Sequence, residues 1–432
     1  MSSNPPLGKP PAGGPAYRVL SQRNFLLYWL GQFVSMVGTW MQQLALSWVV
    51  LGLTKDAFAL GTVNFVGALP PAILLLFGGT VADRFNKRKV LIVSQFIFML
   101  GAFVLAWLVH GGHIQMWQIL AMAVAMGITQ AFDMPASQAL VPELVEPKSI
   151  SAAVQLNQAT FHGSRFIGPP LAGWLIAQFG TYAGFLMNGL SFIPVIGTLF
   201  VIRSLRPGSP RPRTETTLDS MRAGFAYVKA HHFVLDLMAI TAITTILVFP
   251  NMAILMPYYV KNVLHQNAAA MGSVMGASGL GAFFGAMTLL AVKPHGRLRR
   301  IAIGMWGITV GMSTLCFCGF VPLGRLGSLS ANLAVVCCAA AVQGFSISST
   351  LGMVGSIVQQ VVPDELRGRV SSLQGLVFFG IMPFSGLLMT KIVDFVGMPT
   401  VLGAAAGCYV VASTIIFRRL GRDESREAIS VA

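Results

Sequence analysis

Three ionisable residues lie deep inside long apolar stretches of this sequence: Asp133, His162 and Arg165. A charge in such a stretch is costly, so it usually faces a partner or a water-filled cavity. His162 and Arg165 are three residues apart and share one face of a helix. Three roles are open: Asp133 exchanges a coupling proton that Arg165 tunes, the two form a structural ion pair, or Arg165 binds an anionic substrate. For His162 alone, a packed histidine is the simpler interpretation.

A polar stripe follows one apolar stretch near the N-terminus at helical spacing. It comprises Gln32, Ser35, Thr39 and Gln42 or Gln43. Lipid would penalise such a face, so the stripe predicts an aqueous cavity. Hydrogen bonds between helices are the alternative for each residue. Polar residues in other apolar stretches would extend the cavity: Asn64, Thr241, Thr245, Gln343 and Ser346.

The sequence lacks the signatures of an enzyme. It contains no G-x-x-x-x-G-K-[ST] phosphate loop, so ATP would not drive its activity directly. No group of His, Cys and Asp has metal-ligand spacing, and all five cysteines lie within apolar runs. We therefore predict no catalytic residue, no metal and no cofactor.

The elements that carry the polar residues are membrane spans. Of 432 residues only 10% are charged and 55% are hydrophobic, and the mean hydropathy is +0.71. A soluble domain carries about 25% charged residues, so a soluble globular protein and a disordered chain are both excluded. Twelve apolar runs have roughly the 20 residues that cross a bilayer. Their approximate limits are 25–53, 58–82, 89–110, 115–138, 152–179, 182–202, 235–260, 269–292, 300–321, 331–358, 370–393 and 399–417.

The basic residues fall mainly in alternate gaps between the spans. A net charge of +15 would suggest nucleic acid in a soluble protein, but membrane topology explains it here, and no nucleic-acid partner is predicted. If the N-terminus is cytoplasmic, only Lys55, Lys261 and Arg325 fall in external gaps. This asymmetry predicts cytoplasmic termini and an even number of spans.

The chain divides into two halves of six spans. The predicted domains are a cytoplasmic tail (1–23), a first six-helix bundle (24–203), a cytoplasmic linker (204–234), a second six-helix bundle (235–419) and a cytoplasmic tail (420–432). Faint internal similarity relates the halves, since VPEL at 141–144 precedes the fifth span and VPDEL at 362–366 precedes the eleventh. Such repeats are typical of transporters.

The stretch GTVADRFNKR at 79–88 resembles the G-x-x-x-D-R-x-x-R-R signature of the major facilitator superfamily. The matching residues Gly79, Asp83, Arg84 and Arg88 would form its gating motif. The resemblance implies an all-α membrane protein with twelve transmembrane helices in two six-helix bundles. It also implies that spans one, four, seven and ten surround a central cavity.

Within that motif, Asp83 is expected to act as a latch. Its carboxylate can reach the N-terminus of the eleventh span, near 368–371, where free N–H groups favour an anion. Arg84 and Arg88 would pair with acids or with lipid phosphate. The alternative is that the basic residues from Arg84 to Lys89 only enforce topology.

Within the superfamily the chain is similar to a bacterial branch of drug and siderophore exporters that includes the enterobactin exporter. The similarity rests on GTWMQQLALSW at 38–48, DMPASQALVPEL at 133–144 and PDELRGRVSS at 363–372. In addition, GPPLAG at 168–173 resembles an incomplete antiporter motif, for which ordinary close packing of a kinked helix is the alternative.

These observations predict a monomeric secondary transporter in the bacterial inner membrane. It would export a small amphipathic molecule, a drug or a siderophore, by alternating access, with a proton as the coupling ion. Its partners would be that substrate, the proton and the lipid bilayer. Two alternatives stay open: uptake or facilitated diffusion of a metabolite, and a membrane sensor without transport activity.

Overall fold

The described part of the chain forms twelve long helices. A computed structural model describes the backbone of residues 15–84, 86–202, 217–291, 297–326 and 329–431. Side chains are described over these ranges except at 15–17, 75–84, 158, 162, 217–221, 289–291, 325–326, 329, 364 and 421–431. The long helices are α1 (Arg23–Leu53), α2 (Ala57–Arg84), α3 (Lys87–His110), α4 (Met116–Leu140), α5 (Ile150–Phe179), α6 (Tyr182–Val201), α7 (His232–Leu247), α8 (Ala268–Ala291), α9 (Arg297–Phe320), α10 (Ala331–Val361), α11 (Asp364–Val396) and α12 (Met398–Val431).

Eleven of these helices are long and apolar enough to cross a bilayer, as counted over the described residues, and α5 is not among them. Its sequence is diluted by Ser, Asn, Gln, His and Arg. Its 30 residues nevertheless extend about 45 Å at 1.5 Å per residue. α5 packs against α1 and α8, and its Thr160 and Ser164 are buried. The predicted all-α membrane fold is confirmed, and the described residues form twelve long helices, eleven of which have the length and hydropathy of a membrane span.

The helices pack as two groups that match the two halves of the chain. In the first half α1 packs on α5 and α6, and α4 packs on α2 and α3. In the second half α10 packs on α8 and α9, and α12 packs on α7 and α9. The halves meet along two helix pairs, α5 with α8 and α2 with α11. We call the side on which α6 ends and α7 begins the linker face, and the opposite side the far face.

Local signals in the sequence explain several helix ends. Asn86 caps α3, because its side chain accepts hydrogen bonds from the backbone N–H groups of Arg88 and Lys89. α5 and α11 end at Gly180 and Gly397, whose φ angles of 91° and 83° favour glycine. Because these helices are the fifth of each half, the shared ending is a further trace of the internal repeat.

Four features differ from a plain series of straight spans. α7 continues toward the far face through two π-helical segments, Pro250–Ile254 and Tyr259–Val263, where a proline interrupts the α-helical hydrogen bonds. A short antiparallel hairpin, β1 (Arg325–Leu326) and β2 (Leu329–Ser330), joins α9 to α10. A linker helix, Thr217–Ala230, packs on the start of α11. The backbone of α12 continues to Val431, beyond the predicted end of the last span.

Candidate functional site

At the far face the two halves are joined by hydrogen bonds to a helix N-terminus. Asp394, near the end of α11, accepts hydrogen bonds from the backbone N–H groups of Ala57 and Phe58, each at 2.9 Å. These N–H groups begin α2 and have no acceptor within their own helix. A carboxylate there accepts hydrogen bonds from these free donors and also interacts favourably with the positive end of the helix dipole. The Lys391 ammonium lies 4.9 Å from the centre of the Phe58 ring. We call this set of contacts the far-face clasp.

A second far-face contact joins α1 to the end of α7. Lys261 Nζ donates a hydrogen bond to the Trp48 carbonyl oxygen at 3.4 Å and lies 5.1 Å from the centre of the Trp48 indole. Asn262 Nδ2 donates to the Lys55 carbonyl oxygen at 3.1 Å. Burial in this contact lowers the pKa of the Lys261 ammonium. The halves are therefore tied together at two separate places on the far face.

Glycines let α5 and α8 approach each other closely between the far face and the middle of the bundle. A β-carbon at Gly272 would lie 2.6 Å from the Pro169 carbonyl oxygen, and one at Gly279 would lie 2.8 Å from the Arg165 carbonyl oxygen. Gly173 meets the backbone at Ala268 in the same way. The close helix packing predicted for 168–173 is thus present, and we call it the α5–α8 seam.

Toward the linker face the interface between the halves opens. Leu376 lies about five helical turns before Asp394, so both point from the same face of α11 toward α2. Asp394 contacts α2, whereas Leu376 is 52% exposed and Phe379 is 62% exposed. On α2, Phe65 still contacts Phe384 with ring centres 5.2 Å apart, but Leu69, one turn later, is exposed. The geometry is a cleft that is closed at the far face and widens toward the linker face.

The second half contributes an aromatic wall to this cleft. A cavity of about 220 Å³ lies between α7, α10 and α11. Phe378 stands perpendicular to Phe249, with ring centres 4.6 Å apart, and also to its neighbour Phe379 at 5.0 Å. The cavity is lined by Thr241, Leu351, Ser371, Gln374, Phe378 and Phe379. Aromatic faces beside a few hydroxyl and amide groups suit an amphipathic ligand.

The first half contributes a cationic corner to the cleft. The Arg165 guanidinium carbon lies 5.6 Å from the centre of the Trp40 ring, and Phe161 packs edge-on against Trp40 at 5.7 Å. Arg165 Nε is buried and has no hydrogen-bond partner among the described residues. The Arg165 carbonyl approaches Gly279 at the inner end of the α5–α8 seam, so this corner lies beside the interface between the halves. The side chain of His162 lies outside the described residues.

Asp133 has a different neighbour from the one considered in the sequence. Its Oδ1 accepts a hydrogen bond from Gln95 Nε2 of α3 at 3.0 Å. One turn along α4, Ser137 bonds with the Tyr28 hydroxyl at 2.8 Å. The ion pairs within the described side chains are Lys87–Glu143 and Lys148–Glu146. The structural Asp133–Arg165 pair is therefore wrong for this conformation, because Asp133 faces α3 while Arg165 lies against Trp40 of α1.

The gating motif is only partly described. Gly79, Asp83 and Arg84 lie on α2, but their side chains fall outside the described residues. Arg88 does not pair with an acid among the described side chains: its guanidinium donates to the carbonyl oxygens of Leu199 and Phe200, and a contact with lipid phosphate stays a prediction. The guanidinium thus satisfies two acceptors left free at the end of α6.

The polar stripe of α1 divides between two faces. Ser35 is buried and shares the α6-facing side with Gly38 and with Gln42, whose Oε1 accepts from Asn188 Nδ2 at 2.7 Å. The second face, about 100° away on the helix, carries half-buried Gln32 and Gln43 and exposed Thr39.

The remaining predicted cavity residues lie in less open surroundings. Asn64 is half-buried, and its side chain bonds to the Leu60 carbonyl of its own helix at 2.9 Å. Gln343 is completely buried beside Gly311 of α9, and neither of its polar atoms has a partner among the described residues. For these residues the cavity role stays a prediction.

Sequence reasoning missed the residues that close and line the cleft. Lys391 and Asp394 fall at the end of the predicted eleventh span, and nothing in their spacing indicates a partner more than 300 residues away. Gln95 stands alone among apolar residues, so the sequence gives no sign of its bond to Asp133. The adjacent pair Phe378–Phe379 could have been noticed beside Gln374, which carries a polar side chain within the same apolar run.

Comparison with known proteins identifies relatives over most of the chain. A family profile described as transmembrane secretion effector matches residues 15–432. Macrolide efflux protein A of Streptococcus pyogenes is 23% identical over 389 residues, covering 87% of this chain and 90% of that protein. The staphyloferrin A transporter of Staphylococcus aureus is 23% identical over 409 residues, covering 93% and 99%. The multidrug efflux pump Tap of Mycolicibacterium fortuitum is 24% identical over 361 residues, covering 82% and 85%.

Solved structures share the fold at lower identity. A POT peptide transporter superposes with a TM-score of 0.71 at 13% identity, covering 95% of this chain and 99% of that chain. The nucleoside transporter NupG superposes with a TM-score of 0.68 at 13% identity, covering 91% and 99%. Because the family profile covers nearly the whole chain, the protein belongs to the transmembrane secretion effector family of the major facilitator superfamily, and it is a membrane transport protein rather than an enzyme.

Proposed function

We propose that the protein is a secondary transporter that exports small amphipathic molecules from the cytoplasm. The observation that carries the proposal is the cleft between the two halves, closed by the far-face clasp and open toward the linker face. A site between two bundles that can be opened from either side is the geometry of alternating access. Relatives named for macrolide, siderophore and multidrug transport support the export direction.

The orientation follows from charge. Lysines and arginines are concentrated at the linker face, and this asymmetry supports a cytoplasmic linker face with both termini on the same side. The membrane is then the bacterial inner membrane. In this orientation the structure is the inward-open state, ready to take substrate from the cytoplasm, and the protein works as a monomer with its own cleft.

We assign the substrate to the space between the aromatic wall and the cationic corner. Phe378, Phe379 and Trp40 offer apolar faces, and Gln374 offers hydrogen bonds. Arg165 provides one positive charge without an acidic partner among the described side chains. An unpaired charge in the membrane interior is stabilised when an anion arrives, so the site favours amphipathic molecules that carry one acidic group.

Asp133 is the proposed proton carrier. As a carboxylate it accepts the Gln95 hydrogen bond, and protonation replaces a charge-assisted bond with a weaker one. Loss of that bond would free α3 and α4 to shift against each other when the bundles rock. Inward movement of one proton would in this way accompany outward movement of substrate.

The linker-face latch complements the far-face clasp. α2 and α11 run antiparallel, and Asp394 near the end of α11 caps the beginning of α2. Asp83 stands near the end of α2, opposite the beginning of α11. We propose that it caps α11 when the linker face closes, so that the same helix pair is closed at either end by the same chemistry.

The test is substrate flux in proteoliposomes with an imposed pH gradient. Radiolabelled staphyloferrin A serves as the acidic probe and erythromycin, a basic macrolide, as the comparison without an acidic group, because relatives are named for staphyloferrin A and macrolide transport. We expect gradient-driven accumulation to fall at least tenfold in Asp133→Asn, while exchange of labelled for unlabelled probe continues. Asp56→Asn, which changes an exposed acid outside the cleft, is the control and should transport normally.

Three outcomes would contradict the proposal. If Asp133→Asn keeps full gradient-driven transport, Asp133 does not couple transport to the proton. Equal flux in both directions that ignores the gradient would indicate facilitated diffusion. If the wild type and Arg165→Gln each transport a neutral ester as well as its parent acid, the proposed preference for an acidic group is wrong.

A further inference from the structure

A groove on the outer surface of the second half has the features of a ligand site and takes no part in the transport cleft. It encloses about 340 Å³ between α9 and α10 at the linker-face end of α9. It is lined by Arg299, Arg300, Ile303, Phe345, Ser346 and Ser349.

The groove opens away from the cleft. On α10, Leu351 lines the cleft cavity and Ser349 lines the groove. Two residues are about 200° apart around a helix, so the two spaces lie on opposite sides of α10. Ile303, which lines the groove, is 57% exposed, so this wall of the groove faces outward from the bundle. In a bilayer a concave apolar surface at this position meets acyl chains.

Two positive charges stand at the mouth of the groove. Arg299 and Arg300 are both exposed, and neither has a hydrogen bond or ion pair to another described residue. Arg297, in the same turn, is different because it donates to Gln360 Oε1. The unpaired arginines lie two and three residues into α9, at the depth where a span leaves the hydrocarbon.

The inner end of the groove is polar although it is buried. Ser346 is 3% exposed and Ser349 is 4% exposed, and the Ser349 hydroxyl bonds with Thr288 of α8 at 3.2 Å. Thr350 Oγ1 is buried against Gly304 and has no hydrogen-bond partner in the described part of the chain. Hydroxyl groups without a full set of partners are costly in a membrane interior unless a ligand supplies them.

We propose that this groove binds one anionic phospholipid. Arg299 and Arg300 hold the phosphate, and an acyl chain lies along Ile303 and Phe345. The combination selects the ligand: a neutral lipid leaves both charges unpaired, and free phosphate leaves the apolar wall uncovered. Basic pockets between spans at the cytoplasmic side are the positions where anionic headgroups bind.

The lipid would act on transport through α10. This helix forms the back of the groove and a wall of the cleft cavity. A lipid bound in the groove would therefore restrict the movement of a helix that also lines the cleft. This consequence rests on the proposed function, whereas binding of the lipid does not.

The experiment is native mass spectrometry of the purified full chain with added phosphatidylglycerol and phosphatidylcholine of identical acyl chains. The wild type should retain one phosphatidylglycerol in preference to phosphatidylcholine. Arg299→Gln with Arg300→Gln should weaken that binding about 30-fold, as expected for two basic groups near the membrane surface. Arg299→Lys with Arg300→Lys should keep most of it.

Arg418→Gln with Arg419→Gln is the matched control, because these exposed arginines form another adjacent pair where the apolar part of α12 ends. Equal loss of lipid in the two glutamine pairs would show general charge attraction and overturn the site. Unchanged binding in the Arg299/Arg300 variant would also overturn it, as would displacement of the lipid by 10 mM inorganic phosphate as a soluble competitor. Ile303→Trp keeps both charges and narrows the groove, so it should also release the lipid even if the arginine variant folds poorly.

Discussion

Removing the Asp394 carboxylate should open the far face. Asp394→Ala deletes both hydrogen bonds to the start of α2, and these bonds exist only while the far face is closed. Hydrogen bonds to a charged group are worth about 1.5–3 kcal/mol each when buried. Asp394 is exposed, and water competes for the same N–H groups, so about 1 kcal/mol for each bond is appropriate. The total of about 2 kcal/mol shifts the equilibrium about 30-fold toward the far-face-open state.

The shift can be measured as a distance distribution. Spin labels at Leu53 and Val396, two exposed positions at the far-face ends of α1 and α11, should show a longer distance when the far face opens. Double electron–electron resonance in nanodiscs then gives the two populations. Asp394→Asn keeps a neutral acceptor oxygen and should fall between the wild type and Asp394→Ala.

Asp56→Ala is the control for loss of an acid at the same place. Asp56 directly precedes α2, but the described hydrogen bonds to the first N–H groups of that helix come from Asp394. If Asp56→Ala opens the far face as much as Asp394→Ala does, the contact between helices is not the cause. Unchanged distances in Asp394→Ala would refute the clasp itself.

Three further predictions concern the same equilibrium and the packing of the α5–α8 seam. Asp83→Asn should act in the opposite direction to Asp394→Ala, with labels at Val201 and Val361 showing more of the state open at the linker face; a change toward the closed state would exclude the proposed latch. Burial lowers the pKa of Lys261, and opening restores its ordinary value of about 10.4. Opening therefore takes up a proton just below that pH, so raising the pH through this window should favour closure in the wild type but not in Lys261→Met. Gly276→Val should destabilise the protein by about 1–3 kcal/mol through overlap with Pro170, measured as a lower melting temperature, while Gly407→Val, which meets open space, should not.

The sequence was informative where the membrane itself dictates the pattern. Hydropathy predicted twelve helices, including the diluted run that became α5, and the placement of basic residues in alternate gaps supported an even number of crossings. The motif at 168–173 also predicted close packing, since glycine and proline have a direct effect on backbone approach.

The partners of individual polar residues could not be predicted in the same way. Which residue faces Asp133 depends on how α3 and α4 are rotated against each other, and a lone Gln95 gives no sign of that rotation. The stripe on α1 is predicted as one face because residues at i, i+3, i+4 and i+7 are counted together. In the structure Gly38 lies against α6, so the polar residues on the same side as Gly38 face α6. The clasp pairs residues from opposite ends of the chain, and a single sequence contains no trace of that pairing.

The glycine contact between α5 and α8 has a consequence for how fast the bundles can exchange conformations. Most helix interfaces must unlock interdigitated side chains before they slide, and each rotamer that is fixed or released adds to the barrier. At Gly272 and Gly279 backbone meets backbone, so rotation there leaves no side chain at these positions to repack. The slow step of the cycle should then lie in the polar contacts at the two ends of α2 and α11, which makes turnover sensitive to the carboxylates there as long as the seam keeps its glycines.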